Sequence, residues 1–170
     1  RGISVQGVSS DPNSYTAGVY VDDVALDNLG IRYGAMSLWD IEQIEVYRGP
    51  QATLQGRNAL NGAIYLKTKA PTYDWEHSAQ ASLAGDNTTR LSYAGGGGLI
   101  DDVLAFRFSI DDYQSDGFVN NITRDEDDYA GFDRRTIRGK LLFEPTERLS
   151  ANMTLAHTRN DMGDNPNVRL

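Results

Sequence analysis

Residues 40–71 read DIEQIEVYRGPQATLQGRNALNGAIYLKTKAP, two alternating apolar runs around a segment rich in Gly, Asn, Arg and Pro. The first run alternates at Ile44 and Val46 and the second at Ile64 and Leu66, as side chains do in strands. A phosphate-binding loop needs a Gly-x-x-x-x-Gly-Lys followed by Ser or Thr. The central segment lacks that Lys and hydroxyl, and its Pro removes a backbone N–H. The stretch therefore predicts two strands joined by an irregular connection, and not a phosphate site.

The composition narrows the class of protein. The 170 residues include no Cys, which excludes disulfides and Cys-based metal or redox sites. The net charge of -8 argues against a nucleic acid partner, because neutralising phosphates requires a basic surface. The 17 Gly and 9 Tyr are typical of a turn-rich β protein. No run reaches the roughly 18 apolar residues of a transmembrane helix, whereas a transmembrane strand needs only about 9–11 alternating residues.

Beyond Pro71 the alternation becomes longer and cleaner. We expect five strands, at 78–83, 89–95, 104–111, 137–143 and 149–158. Short links are expected at 85–88, 95–102 and 144–148, and a long charged loop at 115–134. Long loops at one end of a sheet and short turns at the other are typical of outer-membrane barrels. In such a barrel the apolar side of these strands faces lipid, and it comprises Leu104, Phe106, Phe108, Ile110, Leu141, Phe143, Met153 and Leu155.

The stretch 40–71 resembles the end of the plug domain of TonB-dependent outer-membrane receptors. That family has an acidic-apolar strand, then R-G-P-Q, a glycine-containing segment, and a strand that ends in T-K-x-P. The matching positions are Ile44, Glu45, Val46, Arg48, Gly49, Pro50, Gln51, Leu54, Gly56, Arg57, Asn58, Ala59, Gly62, Ile64, Thr68, Lys69 and Pro71. The chain departs from the pattern at Gln55, where the family has an aromatic residue, and at Asn61, where it has Gly.

The resemblance implies a mainly β chain with at most short helices. Residues 1–71 would be the C-terminal part of the plug, and residues 72–170 an open antiparallel meander of about five N-terminal barrel strands. The chain is thus expected to be a fragment, with the segment that contacts TonB before Arg1. Within the plug motif, Arg48 and Arg57 are expected to pair with barrel glutamates as a plug–barrel latch. The whole motif set is Arg48, Gly49, Pro50, Gln51, Gly56, Arg57 and Gly62.

The implied function is TonB-dependent uptake of a scarce ligand, such as a ferric siderophore or similar iron complex, across the bacterial outer membrane. The implied partners are the TonB energy-transducing complex, outer-membrane lipid and the small-molecule ligand. We expect no enzymatic activity, no cofactor and no catalytic or metal-binding residues, because His77 and His157 lie far apart without a further ligand.

Three alternatives stay open at this point. The chain as a whole also suits a soluble β-rich ligand-binding module, such as a carbohydrate-binding or adhesin domain. Tyr73 and Trp75 suit either an aromatic girdle at a lipid interface or ordinary packing. The acidic run at 125–128 suits a solvated loop better than a Ca²⁺ site, because it lacks the spaced order of Asp residues.

Overall fold

The computed structural model describes residues 4–5, 8–9, 17–26, 36–48, 62–85, 87–116, 119–121, 126–129 and 131–162. Every regular element in these ranges is a strand, so the prediction of a mainly β chain is confirmed. Within the same ranges, no helix has the length and apolar character needed to cross a membrane. The chain divides into two compact units, Arg1–Lys69 and Ala70–Leu170.

The first unit contains a pair of antiparallel strands of two residues each and a four-stranded sheet. The strands are β1 (Ser4–Val5), β2 (Val8–Ser9), β3 (Ala17–Val21), β4 (Val24–Ala25), β5 (Ile41–Arg48) and β6 (Gly62–Thr68). The sheet order is β4-β3-β6-β5, in which β3 and β6 run parallel and the other pairs antiparallel. The two alternating runs of the 40–71 stretch are therefore the neighbouring strands β5 and β6.

A two-residue turn joins β3 to β4. Asp22 and Asp23 both have positive φ, at 46° and 67°. Two successive residues with positive φ form the type of hairpin turn whose twist matches that of the flanking strands. Asp22 also accepts hydrogen bonds from the backbone N and the Oγ1 of Thr68, at 2.9 and 2.6 Å. Around this point the core is formed by Val19 and Leu66, which are buried. One turn residue thus holds the ends of two parallel strands together.

The second unit is built on a five-stranded antiparallel sheet, as predicted. Its strands are β7 (Glu76–Ala84), β8 (Thr88–Ile100), β9 (Leu104–Ser115), β12 (Phe132–Thr146) and β13 (Leu149–Met162), and between β9 and β12 lies the short hairpin of β10 (Val119–Asn121) and β11 (Glu126–Tyr129). The sheet order β13-β12-β9-β8-β7 is that of a meander. Four of the five strands have 12–15 residues, longer than the roughly 9–11 that cross a membrane.

The glycine run at 95–98 lies within β8, so the predicted link at 95–102 is wrong and the turn is confined to 101–103. These positions need Gly because other atoms occupy the space of a side chain. A Cβ at Gly97 would lie 2.5 Å from the ring of Trp75, and one at Gly96 would overlap the carbonyl oxygen of Phe106. The run is a strand that aromatic side chains and a neighbouring backbone approach closely.

The long connection is shorter than predicted. β9 continues through Ser115 and β12 begins at Phe132, so the predicted loop 115–134 shrinks to residues 116–131. Pairing between β9 and β12 continues to Ser115 opposite Phe132, and the rings of Tyr113 and Phe132 meet edge to face there with centroids 5.7 Å apart. Charged residues near the strand ends suggested a loop, but cross-strand aromatic contacts stabilise a sheet.

Candidate functional site

All eight residues predicted to share the apolar side lie on one face of the five-stranded sheet. Across β9, β12 and β13 the register aligns Phe106, Leu141 and Met153 in one row. The next row aligns Phe108, Gly139 and Leu155. This apolar face is accessible: Phe108 is 39% exposed, Met153 50% and Leu155 65%. Large apolar side chains that share one open face need a cover other than water.

The opposite face is polar and buried. In β9 it carries Arg107, Ser109 and Asp111, and in β12 it carries Thr136 and Arg138, all of them buried. By register the same face also carries Lys140 of β12 and Asn152 and Thr154 of β13. An antiparallel sheet of a soluble protein instead buries its apolar face and exposes the polar one. Relative to a soluble protein, the burial of the apolar and polar faces of this sheet is therefore inverted.

Asp111 is the centre of the buried polar face. Its side chain lies between Ser92 and Thr136 in the register, and it is 1% exposed. It accepts hydrogen bonds from Nε of Arg90 at 2.8 Å and from Oγ of Ser92 at 2.6 Å, and the guanidinium of Arg134 lies 3.6 Å away. A buried carboxylate is tolerated only with such partners. The alternation of β9 is enough to place Asp111 on the polar side, but the two arginines that hold it come from other strands and are not evident from the sequence.

A second ion pair lies nearer the 101–103 turn. Arg107, whose side chain is 3% exposed, binds Glu76 at 3.3 Å. Tyr73 donates a hydrogen bond to Glu144 at 3.0 Å. Partial burial and this neighbouring carboxylate raise the pKa of the Tyr73 phenol. Tyr73 is thus half-buried and tied to β12, which favours the packing role over the lipid girdle.

Charged residues border the apolar face on the side of the 116–131 connection. Asp112 binds Arg135 through two hydrogen bonds of 2.9 and 3.2 Å, and Arg159 binds Asp161 at 2.8 Å. Arg135 and Arg159 are directly opposed on neighbouring strands. The apolar rows and the charged rows are separated along the strands, as they are in a sheet that crosses from a hydrocarbon layer into water.

Aromatic residues cover the apolar face at the other end. Trp75 lies over Gly97 and contacts Phe106 edge to face, with ring centroids 5.7 Å apart, yet it is 61% exposed. His77 is hydrogen-bonded to Tyr93 at 2.9 Å. Trp75 thus combines a packing contact with the exposure that a place at a lipid interface requires.

Of the plug motif, only the two ends lie within the described residues. Arg48 is the exposed last residue of β5 and pairs with Gly62, the first residue of β6. Gly62 has φ 146°, a conformation that favours Gly. The pair brings both ends of the 49–61 connection side by side. The remaining motif residues lie outside the described part of the chain: Gly49, Pro50, Gln51, Gly56 and Arg57. No group of three His, Cys, Asp or Glu suited to a metal ion occurs among the described residues.

Comparison with known proteins relates both units to one family. Residues 1–63 match the family model of the TonB-dependent receptor plug domain. The vitamin B12 transporter BtuB of Vibrio vulnificus is 33% identical over 129 residues, which are 74% of this chain and 21% of that protein. The pesticin receptor of Yersinia pestis is 27% identical over 148 residues, 86% of this chain and 22% of that protein.

Among solved structures, the chain resembles the ferric yersiniabactin uptake receptor FyuA from Yersinia pestis. The TM-score is 0.81 at 26% sequence identity, and the match covers 94% of this chain and 25% of that one. The chain therefore spans only about a fifth to a quarter of the relatives that it matches.

Proposed function

Since the chain belongs to the TonB-dependent receptors, we propose that the whole protein takes up a scarce ligand across the bacterial outer membrane. The preferred ligand class is a ferric siderophore or similar iron complex. Relatives named for such ligands support this class: a ferrioxamine receptor of Yersinia enterocolitica and the ferric yersiniabactin receptor. A cobalamin is the second candidate, since a vitamin B12 transporter is 33% identical.

The inversion of the five-stranded sheet carries this proposal. Leu155 and Met153 are exposed on the apolar face, whereas Arg107 and Asp111 are buried on the polar face. In a membrane, lipid would cover the exposed apolar face. The buried polar face would line the interior of a barrel, which is polar in this class of protein. A soluble carbohydrate-binding or adhesin module has no reason to be built in this way.

The two compact units suggest a division of the chain into plug and barrel parts. We assign residues 1–71 to the plug and residues 72–170 to the first barrel strands, with lipid on the apolar face. Arg48, at the exposed end of β5, and Arg57 would bind barrel carboxylates, because a guanidinium forms a bidentate pair with a carboxylate and stays charged. Such a latch must open when TonB acts on the plug. The family consists of transporters and receptors, and we assign no enzymatic step to this chain.

Uptake by the full-length receptor tests the proposal. The gene is expressed in a bacterium that lacks its own siderophore and cobalamin receptors, and radiolabelled ferrioxamine, ferric yersiniabactin and cobalamin are supplied separately. We expect accumulation of one of the iron complexes, and its loss in a matched strain without TonB. Accumulation of cobalamin alone would move the assignment to the second candidate. Uptake of none, or uptake that is independent of TonB, would contradict the proposed function.

A further inference from the structure

The connector that opens the second unit, residues 70–75, is attached to the five-stranded sheet before β7 begins. The backbone N of Gly98 donates a hydrogen bond to the carbonyl oxygen of Tyr73 at 2.9 Å. Two residues later, the ring of Trp75 lies over Gly97. The connector therefore contacts β8 at two successive glycines of its glycine run.

The two aromatic side chains of the connector lie on opposite faces of the sheet. Successive residues of a strand point to opposite sides, so the two glycines leave space on the apolar and the polar face in turn. Trp75 fills the first space and contacts Phe106 on the apolar face, with ring centroids 5.7 Å apart. Tyr73 fills the second, and its hydroxyl donates a hydrogen bond to Glu144 at 3.0 Å. Because Glu144 belongs to β12, two strands away from β8, this one side chain spans three strands.

The first residue of β7 is tied to the sheet as well. Glu76 accepts a hydrogen bond from Arg107 of β9 at 3.3 Å, and this arginine side chain is 3% exposed. Further along, β7 carries mainly small side chains, among them Ser78, Ala79 and Ala81, and among the described strands it pairs with β8 alone. The side-chain contacts that can resist a pull are therefore concentrated where the connector meets the sheet.

A load on the plug reaches β7 only through this connector, because the chain is continuous. A strand that is pulled from its end loses its ladder hydrogen bonds one at a time, so it resists weakly unless the end itself is fixed. We propose that Tyr73 and Trp75 form an anchor that stops the load before β7, so that the plug can move while the first barrel strand stays in the sheet. This rests on the proposed function, in which TonB acts on the plug, but not on the identity of the transported ligand.

Constant-force pulling on the full-length receptor in lipid vesicles tests the anchor. The handle is attached at the N-terminus, and the force is the lowest that extracts the plug of the wild-type receptor. We expect the wild-type extension to pause once the chain up to residue 72 is straight. In the double variant Tyr73→Phe with Trp75→Ala it should continue through residues 73–84, which adds about 40 Å at roughly 3.3–3.6 Å per residue. Tyr73→Phe alone keeps the ring and should shorten the pause about tenfold, through the lost hydrogen bond to a carboxylate.

Tyr113→Phe is the matched control, because it removes a phenol hydroxyl from β9 near the 116–131 connection, at the other end of the strand. This variant should pause as the wild-type receptor does. Heat-modifiable migration on gels shows that each variant is folded before it is pulled. The measurement needs neither TonB nor the transported ligand, so an absence of uptake would contradict the proposed function and leave this result unchanged. A double variant that pauses like the wild-type receptor would overturn the anchor, and so would a wild-type β7 that leaves the sheet without a pause.

Discussion

Asp111 accepts a hydrogen bond from Nε of Arg90 at 2.8 Å, although both residues belong to a sheet whose other face is apolar and exposed. The adjacent residue, Asp112, points to that other face and pairs with Arg135. Two neighbouring carboxylates therefore bind arginines in opposite environments. One ion pair is buried and the other lies near the surface, and this difference predicts how each contributes to stability.

Replacing Asp111 with Asn should destabilise the full-length receptor by about 2–4 kcal/mol, because two arginines near a buried site would lose their carboxylate. The value lies below the extreme for fully buried pairs, since the side chains of Arg90 and Arg134 remain 27% and 15% exposed. Urea unfolding of the receptor in lipid vesicles measures the change. Asp112→Asn is the control and should cost less than about 1 kcal/mol, as exposed pairs do. Equal losses for both variants would show that the two faces do not differ in burial.

Replacing Asp22 with Ala should loosen the first unit at the end of β6. Thr68 is 1% exposed, and the variant would leave its N–H and hydroxyl without the carboxylate that accepts from both. A buried polar group that loses its partner costs about 1–3 kcal/mol. Hydrogen exchange of the full-length receptor should become faster in Gly62–Thr68. Asp23→Asn, at an exposed turn position that tolerates Asn, should leave exchange unchanged. Unchanged exchange in Asp22→Ala would show that the turn does not hold β6.

The two faces of the five-stranded sheet were predictable because the side-chain period of a strand is two. Once Phe106 and Phe108 are assigned to one face, Arg107 and Ser109 must lie on the other. The strand ends were less predictable. The run of four glycines at 95–98 suggests a turn, and only the aromatic side chains packed over it show why it is a strand.

The buried ion pairs could not be predicted, since they depend on register. Arg90 and Asp111 are 21 residues apart, and they meet because the 101–103 turn pairs Ser92 with Asp111. A shift of one residue would move either side chain to the opposite face. The plug motif was recognisable from its residue types, but its expected latch contacts still stand as a prediction.

Replacing Phe108 with Arg tests whether lipid covers the apolar face. The side chain is 39% exposed in the middle of that face, where an arginine would cost about 2–4 kcal/mol near the bilayer midplane. Gln114→Arg, on the same face beyond the apolar rows, should cost less than about 1 kcal/mol. Folding of both variants of the full-length receptor into vesicles, followed by urea titration, measures the difference. A soluble sheet would accept arginine at an exposed Phe108, so a neutral result there would contradict lipid contact.

Replacing Arg48 or Arg57 with Ala should alter ligand uptake by the full-length receptor. If these residues latch the plug to barrel carboxylates, each variant leaves a carboxylate unpaired, at a cost of several kcal/mol at the buried extreme. Uptake rates and the force needed to extract the plug in single-molecule pulling should both change. Lys69→Ala, in the same motif but outside the proposed latch, serves as the control. Wild-type uptake and extraction force in both arginine variants would remove the latch assignment.

Trypsin added to intact cells should cleave the receptor after Arg124 and spare Arg134 and Arg135. The first lies in the 116–131 connection, which we place outside the cell because it is the long polar link of the meander. The other two lie in β12, paired on both sides with β9 and β13, and a protease cannot bind a strand that is held within a sheet. Mass spectrometry of the released and retained peptides identifies the cut. The control is an Arg124→Gln variant, which should resist trypsin in this region. Cleavage at Arg124 only from the periplasmic side, in cells with a permeabilised outer membrane, would invert the orientation of the sheet in the membrane.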